Sequence, residues 1–202
     1  EVDTELEPHL TAAPGAGFPT QGCALVTGGS RGIGRMIAQG YLEAGARVII
    51  CCRKIAEGQQ TAQELSQYGE CIALAADLSS EAGARQLADD VSKLTDRLDI
   101  LVNNAGTSWG APLEDFPVSG WEKVMQLNVI SVFSCIQQLL PLLRASANAD
   151  NPARVINIGS VAGISRRTFA CRRDASRRHC SRCMLRSAVA VEKLLQSRLG
   201  CC

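Results

Sequence analysis

The sequence predicts an α/β fold: a doubly wound parallel sheet of the Rossmann type, expected to be truncated after its fifth strand. Two observations carry that prediction. Five short runs, apolar on both faces, recur between residues 23 and 159 with amphipathic stretches between them. The first run ends in a glycine-rich turn that opens into the first of those stretches. Strands that alternate with helical crossovers pair in parallel and bury both faces. The composition agrees, since 46% hydrophobic residues with only 4% aromatic ones suit an α/β core better than an all-β sandwich.

The predicted strands are "CALVT" (23–27), "RVIICC" (47–52), "CIALAA" (71–76), "DILVN" (99–103) and "RVINIG" (154–159). Helices are predicted over 32–44, 55–67, 80–96 and 118–144. Ligands of such sheets bind beyond the carboxyl ends of the strands, so the residues there are the candidates. After the first strand comes "TGGSRGIG", Thr27–Gly34. Gly28, Gly32 and Gly34 let the backbone turn tightly and approach a pyrophosphate. The helix that follows offers its N–H groups and dipole to that anion. Ser30, Arg31 and Ile33 of the same loop complete this candidate set. The plain alternative is an ordinary glycine-rich turn.

After the second strand stand Arg53 and Lys54, where an NAD enzyme often places an acid for the ribose 2′-hydroxyl. Two cations there, with Arg31 nearby, favour a 2′-phosphate, so NADP(H) is expected over NAD(H). The alternative is a pair of solvated surface cations. Asp77-Leu78 follow the third strand, Asn104-Ala105-Gly106 the fourth and Ser160 the fifth. Each alone reads equally as a cap or turn residue. In the 118–144 helix, Trp121, Val124, Met125, Val129, Val132, Phe133, Ile136, Leu139, Leu140 and Leu143 form a 3.6-period stripe. Asn128 falls inside that stripe, so its amide needs a specific partner.

"TGGSRGIG", "ADLS", "LVNNAG", "LNV" and "INIGSVAG", in this order and spacing, resemble the short-chain dehydrogenase/reductase family. "NNAGTSWG" and "VMQLNVISVFSCIQQLLPLL" are most similar to rhamnolipid-type 3-oxoacyl-acyl-carrier-protein reductases. The resemblance covers about 22–165. It implies that Asp77 and Leu78 contact adenine and that Asn104–Gly106 line the cofactor. It gives Asn128 a part in a catalytic proton relay, and it gives Ser160 a hydrogen bond to the substrate carbonyl. It implies a ketone substrate, foremost a 3-oxoacyl thioester, and a homo-oligomer formed through the 118–144 helix.

The family also carries Tyr-x-x-x-Lys on the helix after Ser160, with the Tyr as proton donor. Those slots fall on Arg173 or Asp174 and on Arg177 or Arg178. The only tyrosines are Tyr41 and Tyr68, and the only later lysine is Lys193. An arginine holds its proton near neutrality and is a poor acid. Impaired catalysis is therefore expected. The competing class is a catalytically inactive nucleotide-binding or subunit-interaction isoform.

Charge marks the same change. Residues 1–164 balance to −7 and residues 165–202 to +8, within a chain of net charge +1. An altered reading frame or a different terminal exon would account for it. Cys171, His179, Cys180 and Cys183 hold one C-x-x-C without a second pair, and no metal site is assigned. The expected layout is a flexible lead-in (1–21), a dinucleotide-binding domain (22–165) and an atypical basic, cysteine-rich tail (166–202). No run of about 18 apolar residues suggests a membrane span, and the overall charge suggests no nucleic-acid partner. Single cysteines within apolar runs suggest an intracellular, cytoplasmic protein.

Overall fold

The computed structural model describes residues 22–111, 114–149 and 151–160. The expected lead-in and tail lie outside these residues. The described strands are β1 (Cys23–Thr27), β2 (Arg47–Cys52), β3 (Cys71–Ala75), β4 (Ile100–Asn103) and β5 (Arg154–Asn157). They form one parallel sheet in the order β3-β2-β1-β4-β5. The helices are α1 (Gly32–Glu43), α2 (Ile55–Leu65), α3 (Glu81–Ser92), α4 (Val118–Met125) and α5 (Ser131–Ser146).

Alternation along the strands sorts the core into two layers. Ala24, Val26, Val48, Ile50, Ile100 and Val102 pack with Ala38 and Leu42 of α1 and Ala62 and Leu65 of α2. Leu25, Ile49, Cys51 and Leu101 pack on the other face with Leu87 and Val91 of α3 and Cys135 and Leu139 of α5. The three inner strands are apolar on both sides because both sides are covered. The outer pair differs from that expectation, for β5 and most of β3 are only half-buried. Among the described residues both are edge strands, with one neighbour fewer to exclude water.

About half of the element boundaries stand where the sequence reading put them, and the others shift by one to four residues. The larger difference is in 118–144, which is not one regular helix. A π-helical turn (Gln126–Ile130) separates α4 from α5, with Asn128 at its centre. The wider turn puts the residues on its two sides out of the assumed 3.6 phase. The buried line runs through Gly120, Val124, Ser131, Cys135, Leu139 and Leu143. Trp121 and Phe133, placed on the apolar stripe by period alone, are 41% and 48% exposed. By length and composition Val118–Ser146 would also span a bilayer. Here its buried line packs against α3 and the sheet.

From β1 the chain winds outward through β2 to β3, then crosses back to the far side of β1 for β4. The direction reverses between β1 and β4, and such a switch point opens a crevice at the carboxyl ends of its strands.

Candidate functional site

Thr27, the last residue of β1, holds this crevice together. Its hydroxyl donates to the Val102 carbonyl (3.3 Å) and accepts from the Asn104 and Ala105 amides (2.9 and 3.0 Å). The Asn104 side-chain amide donates back to the carbonyls of Thr27 (2.9 Å) and Gly28 (3.2 Å). From the other side, the Gly28 and Gly29 amides donate to the Cys51 carbonyl at 2.9 and 3.2 Å. The glycine loop is thereby tied to both strands flanking β1.

Two of its glycines are required by geometry. Gly28 has φ +66°, which side chains disfavour. A Cβ on Gly34 would run into the Gly28 carbonyl and lie 2.5 Å from the Asn104 amide nitrogen. The loop therefore closes directly onto the first turn of α1. Arg31 stands at the N-cap with an extended backbone (φ −160°), makes no side-chain cap and is followed by no acid in the first turn. By contrast, Ser80 caps α3 by accepting from the Gly83 amide at 3.1 Å. The α1 terminus thus offers uncapped N–H groups and a positive dipole end, the donor set that a pyrophosphate needs. Ser30 anchors the loop sideways, its carbonyl accepting from the Thr61 hydroxyl at 2.8 Å. Ile33 is 61% exposed on the first turn.

Arg31 and Arg53 are exposed at the mouths of the first two strands. Among the described residues neither makes an ion pair, whereas Lys54 is engaged by Glu57 at 2.9 Å. That lysine holds the Glu57 carboxyl below its ordinary range, with a smaller pull from Arg31. Asp77 is exposed after β3. The Ser79 hydroxyl (2.7 Å) and amide (3.0 Å) donate to it and keep it ionised below the usual carboxylate range. Leu78 turns inward, its side chain buried in the α3–α5 core.

Asn128 finds its partner in the loop after β4. Its Oδ1 accepts from the Thr107 amide (2.8 Å) and its Nδ2 donates to the Thr107 carbonyl (2.9 Å). The half-buried amide is satisfied by backbone, as a strand neighbour would satisfy it. Gly106 is exposed beside it and Ala105 half-buried. Ser160 is half-buried beyond β5 at the same edge. The approach to it is fixed by Asn103 Nδ2 donating to Asn157 Oδ1 (2.9 Å) and by the Ile158 backbone amide donating to the Asn103 carbonyl (2.9 Å).

Sequence reasoning missed Thr27, the Asn103–Asn157 pair and the π-turn. Thr27 had a signal, a hydroxyl closing an apolar strand just before the glycines. Among the described residues no cluster of metal-ligating side chains occurs. The cysteine and histidine group considered in the sequence lies outside them.

A family model for short chain dehydrogenase matches residues 22–177. This chain belongs to the short-chain dehydrogenase family. A curated relative, the rhamnolipids biosynthesis 3-oxoacyl-acyl-carrier-protein reductase of Pseudomonas aeruginosa, is 77% identical over 142 residues. That match covers 70% of this dehydrogenase-family chain and 56% of the relative, so the chain spans little more than half of it. The solved Pseudomonas aeruginosa RhlG/NADP active-site complex is similar at 62% identity and a TM-score of 0.81, over 88% of this chain and 67% of that one. A metagenomic short-chain oxidoreductase solved with NADP matches at 28% identity and a TM-score of 0.72, over 89% and 75% of the two chains.

Proposed function

We propose that this chain binds NADP(H) in preference to NAD(H) and is an oxidoreductase that reduces a ketone, foremost a 3-oxoacyl thioester, with its turnover impaired. One observation carries the cofactor half. The uncapped α1 terminus lies under a fixed glycine loop, with Arg31 and Arg53 exposed at its mouth and Lys54 withdrawn to Glu57. Two guanidinium groups suit a ribose phosphate, which a plain 2′-hydroxyl would not need. Gly28 and Gly34 would hold the pyrophosphate, and Asn104–Gly106 would line the nicotinamide side. When bound, the cofactor supplies a hydride. The high identity to a named 3-oxoacyl reductase supports the substrate class.

The impaired half rests on the sequence. By the family resemblance Ser160 would donate to a carbonyl oxygen, but Arg173, Asp174, Arg177 and Arg178 fill the slots of the phenol and the lysine. A catalytically inactive nucleotide-binding or subunit-interaction protein is the alternative reading that these residues support. An intracellular setting accords with Cys23, Cys51 and Cys135 as free thiols inside the core.

The experiment is a calorimetric titration of the chain with NADP and with NAD, repeated on Arg53→Asp. NADP should bind more tightly, and the substitution should weaken it roughly tenfold or more, the loss of a charge-assisted contact. Equal affinities for both nucleotides, or no effect of Arg53→Asp on a folded protein, would contradict the proposal.

A further inference from the structure

The segment after β4, held to the π-turn by the Asn128–Thr107 pair, also touches α4. Gly120 is buried in α4, and Trp109 lies against it. A Cβ on Gly120 would stand 2.9 Å from ring atoms Cγ and Cδ2 and 3.0 Å from Cδ1. The ring therefore rests on helix backbone, at a distance only glycine permits. Lys123, one turn on, holds its ammonium 5.4 Å from the ring centroid, within cation–π range. Thr107 meets Asn128 while Trp109 meets Gly120 and Lys123, so the segment runs antiparallel along the helix and is fastened at two points. A glycine inside an eight-residue helix weakens that helix by its greater backbone freedom.

We propose that Trp109, seated on Gly120 and covered by Lys123, is a positioning residue: it fixes the segment whose Thr107 backbone Asn128 must clamp. Only Ser108 separates Thr107 from Trp109, so a fixed ring leaves Thr107 little freedom to leave the Asn128 amide. The clasp thereby sets the shape of the crevice wall beside Gly106. What it does for catalysis rests on the reductase reading. Whether it exists does not, so the experiment uses neither cofactor nor substrate.

The chain has two tryptophans, and Trp121→Phe leaves Trp109 as the sole emitter. In that background the full-length protein is compared with Gly120→Ala, Trp109→Ala and Trp109→Phe. Amide hydrogen exchange is read at Thr107 and, for reference, at Leu25 in β1. Gly120→Ala should shift the Trp109 emission to the red. Gly120→Ala and Trp109→Ala should each speed Thr107 exchange by roughly tenfold or more, with Leu25 unchanged, as a local opening does. Trp109→Phe keeps a ring on Gly120 and should retain most of the protection. Thr107 protection unchanged when the ring is displaced, or lost equally in Trp109→Phe and Trp109→Ala, would overturn the proposal. So would Leu25 exchange rising in step with Thr107, because the effect would then be general stability. If Gly120→Ala does not fold, the Trp109 pair decides the matter by the same criteria.

Discussion

Replacing Thr27 by valine keeps the side-chain volume and removes one oxygen. That oxygen accepts from the Asn104 and Ala105 amides and donates to the Val102 carbonyl, in a residue only 1% exposed. Valine would leave two N–H groups without their acceptor. Each unsatisfied buried donor costs about 1–3 kcal/mol. Asn104 and Ala105 are half-buried, so water can partly replace the hydroxyl, and the low half of that range applies. The expected loss is about 2–4 kcal/mol, a large share of an ordinary domain's stability of about 5–15 kcal/mol. Thr27→Ser keeps the hydroxyl and deletes a methyl, at about 1 kcal/mol. Urea unfolding of the three proteins gives the comparison, and the valine variant should be the less stable by more than 1 kcal/mol. If serine is the worse replacement, Thr27 matters for packing and the hub described here is wrong.

Gly34→Ala should prevent the glycine loop from closing on α1 and abolish nucleotide binding, because the new methyl meets the Gly28 carbonyl and the Asn104 amide; binding retained at parental affinity would refute the close approach. Burial raises the Cys23 and Cys71 thiols to about 11 and Cys135 to about 12, and raises Cys51 as well. Below the ordinary thiol value of 9.0 these groups are neutral both folded and unfolded; above it the unfolded chain alone ionises. Stability measured against pH should therefore hold up to pH 9 and fall as pH rises from 9 through 11 to 12, and a level profile across that window would contradict these burials. Ile130 and Phe133 are 46% and 48% exposed on the helix expected to mediate self-association. Light scattering should show an oligomer that Phe133→Asp reduces to a smaller species, and a monomer in both cases would remove that helix from consideration.

Much of the fold was legible because strand and helix periods are local properties. All five strands and the first three helices stand where alternation put them, with ends shifted because the closing hydrogen bonds are not periodic. Leu94 and Thr95, for example, both donate to the Val91 carbonyl and end α3 early. The π-turn was hidden because an apolar stripe looks continuous in sequence even when a wider turn changes its phase. Asn128 was recognisable as an amide that needs a partner, but that the partner is the Thr107 backbone, 21 residues back, depends on how the segment after β4 returns. Thr27 showed only as a hydroxyl closing an apolar strand, since its partners at 102, 104 and 105 meet it only once β1 and β4 are neighbours. Gly120 gave no sign, because its significance lies in a ring eleven residues earlier.

The proposed function joins an intact cofactor crevice to a sequence with no tyrosine in the proton-donor slot. The most direct test measures NADPH oxidation with a 3-oxoacyl thioester by this chain and by a chimera. In the chimera, the residues after Ser160 are replaced with a family segment carrying Tyr-x-x-x-Lys. Both proteins should bind NADPH. Turnover of the present chain at saturating NADPH should be at least ~10²-fold below that of the chimera, the lower end of what general acid assistance supplies. Comparable turnover in the two would show that another group donates the proton, and the reading of Arg173–Arg178 would be wrong.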